Sequence, residues 1–136
     1  MKLGPLIFVV VIGAYIGMEM YAAKRNAYRM QPDHIHEQFV RSSVAVARCG
    51  AEKNAALGKF DRNFDYARGR ALAQLTGSNP DLDDAAVKAL LTARIEAATA
   101  AVDALVAEHG CQHIELWKLK RRHANLAGMN LPVPRS

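Results

Sequence analysis

Two patterns of apolar positions divide this chain. From Leu3 to Ala23 the apolar run is almost unbroken, with Glu19 its one charged residue, whereas after Ala23 apolar residues recur every three or four positions among polar ones. The first pattern has no polar face to turn toward water. As a helix rising about 1.5 Å per residue, its 21 residues reach about 31 Å, which matches the hydrocarbon core of a bilayer. The expected organisation is a transmembrane anchor over 1–24, a juxtamembrane linker over 25–32, an extramembrane bundle over 33–127 and an extended tail over 128–136.

The second pattern predicts helices. Pro32 and Asp33 supply a start, after which Ile35, Phe39, Ser42, Val46 and Cys49 fall on one stripe. Gly58 interrupts, and Phe60, Phe64, Ala67, Ala71 and Leu75 form a second stripe ending near Gly77. The stretch "GSNPD" reads as a stop and restart: Gly77 terminates, Ser78 or Asn79 caps, and Pro80 occupies the next first turn. Leu91, Ile95, Ala98, Val102 and Leu105 are spaced 4, 3, 4 and 3 apart, the seam of a helix packing lengthwise, with Ala97, Ala100, Ala101 and Ala104 thickening that face. Gly110 bends or ends it. A fourth helix follows over Ile114 to Ala127, with Leu116, Trp117, Leu119 and Leu126 as candidates for burial. The two prolines of "NLPVPRS" predict an extended end, and no run alternates as a strand does. The fold class is all-α: a single N-terminal transmembrane helix followed by a small antiparallel bundle of three or four helices.

The N-terminal run has a competing reading as a cleaved secretory signal, because Lys2 precedes it. It is long for such a signal, and no position around Met20 to Ala23 has small residues at both −3 and −1, so an uncleaved anchor is expected. Within it, "GAYIG" places Gly13 and Gly17 one turn apart on one face. Lipid tails are as apolar as the side chains, so helices associate in a bilayer by close contact, which small residues permit. Tyr15 lies too deep for the interfacial belt that suits Tyr21 and Tyr28, and its hydroxyl calls for a partner. Gly13, Tyr15 and Gly17 are the candidate helix-packing interface, although glycine is common in membrane helices and such spacing also arises by chance.

Charge changes the picture little. Lys2 and the terminal amine precede the run and Lys24, Arg25 and Arg29 follow it, too even a balance to orient it. Cysteine says more. Cys49 and Cys111 are the chain's two cysteines, and a pair in a small extracytoplasmic domain commonly bridges. The candidate disulfide would put the domain in an oxidising space, a bacterial periplasm or the mitochondrial intermembrane space; two buried free thiols are the alternative. There is no CxxC, so a thioredoxin-like site or a zinc ribbon has no support.

Candidate chemistry is sparse. "DHIHE" and "EHGCQH" gather histidines near acids, and His109 and His113 stand four apart, but Gly110 lies between them and neither HExxH nor CxxCH occurs. Exposed histidines at helix ends account for these letters. No GxSxG is present, and Ser42 and Ser43 lie inside a helical pattern. The net charge of +5 and the cluster Lys118, Lys120, Arg121 and Arg122 mark a basic contact surface facing water, acidic lipid headgroups or an acidic partner rather than nucleic acid. No catalytic residue, cofactor, metal site or small-molecule substrate is expected.

The expected function is a non-catalytic, single-pass accessory subunit of an integral membrane complex, an energy-transducing one being the natural setting. Its partners would be other transmembrane subunits and membrane lipid, in a bacterial or mitochondrial inner membrane. A second class is an envelope-bridging or lysis factor: one N-terminal span with a helical extracytoplasmic part resembles the phage inner-membrane spanins, although short broken helices suit bridging poorly. A small membrane-anchored metal or haem carrier is a third.

Overall fold

The computed structural model describes residues 31–52 and 58–132, which form four α-helices and no strand. They are α1 (Pro32–Cys49), α2 (Phe60–Ser78), α3 (Asp84–His109) and α4 (Ile114–Ala127). The expected span, with Gly13, Tyr15 and Gly17, lies outside the described residues. No described helix is long and apolar enough to cross a membrane.

Each helix end has a local cause. Pro32 opens α1 with its backbone angle already helical, and Asp33 and Arg48 place opposite charges at the ends of the helix dipole. Gly50 and Gly110, at φ of +81° and +74°, stop α1 and α3 in a conformation that other residues rarely adopt. Their N–H groups donate to Val46 and Val106 carbonyls at 2.8 Å. α2 ends at Asn79, whose backbone N–H and side-chain Nδ2 both donate to the Leu75 carbonyl. The restart differs from the sequence expectation. Asp83 caps α3, its carboxylate accepting from the Ala86 N–H at 2.8 Å, while Ser78 is the last residue of α2 and Pro80 sits in the turn between. The Asp83 carboxylate stands next to the helix and satisfies a free N–H there, whereas Ser78 and Asn79 belong to the end of α2, where Asn79 donates to the Leu75 carbonyl.

α1 is the hub against which the other three helices pack. Its start meets the end of α2, where the Asp33 N–H donates to Gln74 Oε1 at 2.8 Å, and its middle meets the start of α2 through Phe39, Phe60 and Phe64. These pairings make α1 and α2 antiparallel. Cys49 and Ala45 lie by Cys111 and Leu116, and Phe39 by Leu126, so α4 is also antiparallel to α1. α3 runs with α1: Arg94 pairs with Asp33, and Arg48 with Asp103. Because the start of α1 is level with Arg94, the first turns of α3 and the end of α2 project beyond it. They bury Ala71, Leu75, Val87 and Leu91 against each other as a separate small core.

The buried faces follow the predicted stripes with three corrections. In α1 the core residues are His36, Phe39, Val40, Ser42 and Ala45, so Val46 and Cys49 lie at its margin rather than its centre. In α3 the seam is buried at Leu91, Ala98 and Val102, but Ala97, Ala100 and Ala104 face solvent and Ala101 is half-buried. Trp117 is 48% exposed, because Leu116, His123 and Leu126 fix the inward face of α4 and position 117 stands about 100° away from 116. After α4, residues 128–132 are not helical, and the rest of the expected tail lies outside the described residues. The described part is nonetheless fastened: Leu131 packs on the phenylalanine core, and Lys59 donates to Asn130.

Candidate functional site

Two polar side chains inside the bundle donate hydrogen bonds to backbone carbonyls, while Asn63 Oδ1 and His36 Nε2 have no hydrogen-bond partner among the described residues. Ser42, fully buried, donates its hydroxyl to the Phe39 carbonyl at 3.1 Å. Asn63 donates from Nδ2 to the carbonyls of Leu126 and Met129, both at 2.8 Å, and so closes the C-terminal end of α4. The sequence reading overlooked Asn63, because it sits one residue before Phe64 on a stripe chosen by apolar letters alone.

Two histidines are buried, and His36 is one for which exposure was expected. His36 is 2% exposed, edge-on to Phe64 at 5.4 Å between ring centres, and His123 stacks on Phe60 at 3.8 Å. An imidazole is flat and largely apolar, so it completes an aromatic cluster at the cost of staying uncharged. Burial lowers the pKa of His36 below the ordinary imidazole value, and the charge of Arg68 lowers it further. Burial also lowers that of His123, against a smaller opposing pull from Asp61. His109 and His113 stack at 4.3 Å despite the intervening Gly110, and His113 caps α4 by accepting the Glu115 N–H. Among the described residues, no three His, Cys, Asp or Glu side chains come together as a metal site would require.

The cysteine pair organises the opposite end of the bundle from Pro32. The sulfurs of Cys49 and Cys111 lie 2.01 Å apart with their Cα atoms at 5.5 Å, which is disulfide distance. The pair fastens the end of α1 to the turn between α3 and α4, and the exposed Arg48–Asp103 ion pair lies beside it. No protein family, curated protein or solved structure matches this chain. Its surface must therefore be read from its own chemistry.

That surface begins at an open depression of about 390 Å³ lined by Cys49, Cys111, Gln112, Ile114, Trp117 and Lys120. Ile114, 54% exposed, and Trp117 present apolar area to solvent where α4 turns away from the core. Part of the basic cluster borders them, Lys120 at the depression and Arg121 over the tryptophan. The Arg121 guanidinium lies 5.3 Å over the Trp117 ring, Lys118 pairs with Glu115 at 3.1 Å, Lys120 is half-buried at the depression, and Arg122 is exposed. Of the predicted basic residues, Lys120 and Arg121 thus lie at the end of the bundle that holds the cysteine pair. No local pattern shows that Ile114 and Trp117 join them, because apolar residues at those positions read equally well as core.

Proposed function

We propose that this chain is a non-catalytic, single-pass accessory subunit of an integral membrane complex. The apolar run from Leu3 to Ala23 holds it in the bilayer, Gly13, Tyr15 and Gly17 press against neighbouring spans, and the bundle offers its aromatic and basic end on the oxidising side. The observation that carries this reading is the Cys49–Cys111 pair at bonding distance in a bundle that follows a nearly uncharged run of bilayer length. Disulfides persist outside the reducing cytosol, and a single apolar segment tethers a small domain to the membrane bordering that space. Supporting it further, the buried Ser42 hydroxyl and Asn63 Nδ2 donate to backbone carbonyls within the bundle, and the exposed chemistry at Ile114, Trp117, Lys120 and Arg121 is that of a contact surface. A bridging role of the spanin type is disfavoured by helices that fold back beside one another instead of extending.

The test is to replace Gly13 and Gly17 together by Leu. The variant should remain in the membrane fraction yet lose its companions during purification in mild detergent. Unchanged co-purification would reject docking through that face.

A further inference from the structure

We infer that copies of this chain associate head to tail, the acidic turn between α2 and α3 of one copy seating in the aromatic and basic depression of the next. The depression asks for a particular ligand. Ile114 and Trp117 offer apolar area, and Lys120 and Arg121 border it with positive charge, so the fitting group is an apolar side chain flanked by carboxylates. The turn Asp81-Leu82-Asp83-Asp84 has that composition. Leu82 is 39% exposed, and Asp81 and Asp84 are exposed on either side of it. Asp83 is occupied in capping α3, which leaves Asp81 and Asp84 as the available carboxylates, with Lys88 the one nearby opposing charge on that helix. At the other end Glu115 is taken up by Lys118, and Glu108 is the remaining acid close by in sequence.

One molecule cannot satisfy itself. Asp84 begins α3 and Cys111 lies just past its end, so the 26-residue helix holds turn and depression about 39 Å apart. A second copy presents the missing half, and since the two surfaces differ, the contact propagates as a ring or an open chain. The inference rests on the described bundle alone and does not depend on the membrane reading.

The experiment is sedimentation velocity of the full chain in detergent micelles over a range of protein concentrations, at low salt and at about 0.5 M salt, where charge pairing is screened. Species larger than one copy should appear at low salt and dissociate at high salt. Two variants are compared, Asp81→Lys with Asp84→Lys, and Lys120→Glu with Arg121→Glu. Each alone should self-associate at least about tenfold more weakly. Their equimolar mixture should associate again, which also shows that both are folded. A wild-type chain that stays single at every concentration overturns the inference. So does association that survives both variants, or binding of the depression to vesicles of anionic phospholipid without any pairing of copies.

Discussion

Replacing Cys49 and Cys111 together by Ala removes a cross-link between residues 62 apart in sequence. In the chain-entropy account, closing a loop of that length restricts the unfolded chain by about 14 cal/mol/K, or about 4 kcal/mol at room temperature. Both side chains lie at the margin of the core, so their loss as apolar groups adds little. A domain is stable by only about 5–15 kcal/mol, and the change is a large share of that. With about 2.1 cal/mol/K of unfolding entropy per residue, a bundle of about 100 residues should melt about 15–20 °C lower. The assay is thermal unfolding of the full chain in micelles by circular dichroism, with and without reductant. Reduced wild type should fall to the melting temperature of the double variant, and the variant should ignore reductant. A wild-type chain whose melting is indifferent to reductant, or a variant melting within a few degrees of oxidised wild type, refutes the reasoning.

The buried histidines predict a pH dependence. Both folded-state pKa values lie below the unfolded imidazole value of 6.5, so near and below that pH the unfolded chain binds protons that the folded chain refuses. Stability is therefore full above pH 6.5 and falls as pH drops from there toward the folded pKa values, by up to about 1.4 kcal/mol per pH unit for each histidine. Urea titrations between pH 7.5 and about 5 should show this slope, and His36→Phe should remove about half of it; an unchanged slope contradicts the assignment. Asn63→Ala should cost about 2–3 kcal/mol, because the Leu126 and Met129 carbonyls lose their shared donor. A denaturation midpoint shifted by less than about 0.5 kcal/mol would show that water replaces it without penalty.

Legibility in the sequence followed how local each cause is. The start of α1, the C-terminal end of α3 and the bounds of α4 are readable because proline, aspartate and glycine act on the backbone where they stand, whereas α1 stops at Gly50 and not at the Gly58 break expected from the stripe. The restart at α3 is ambiguous in the sequence because three aspartates and a proline compete within the five residues from Pro80 to Asp84. Only the turn geometry decides that Asp83, not Ser78 or Asn79, reaches a free N–H. Which face of an apolar helix is inward depends on its neighbours. α3 is alanine-rich on both faces, so the solvent-facing Ala97, Ala100 and Ala104 could not be told from core. Trp117 and His36 in effect exchanged expected places, since a large apolar residue is normally the better core candidate and a histidine the better surface one. The aromatic neighbours that accept His36 come from α2, a contact no local pattern records. The Cys49–Cys111 pairing was legible because two cysteines allow one pairing.

The most direct measurement on the proposed role is to tag the chain, wash its native membranes with alkaline carbonate, and purify it in mild detergent. The account predicts that it stays with the membrane pellet and then elutes with a reproducible set of integral membrane proteins. Recovery in the carbonate wash, or elution with no companion, would contradict it.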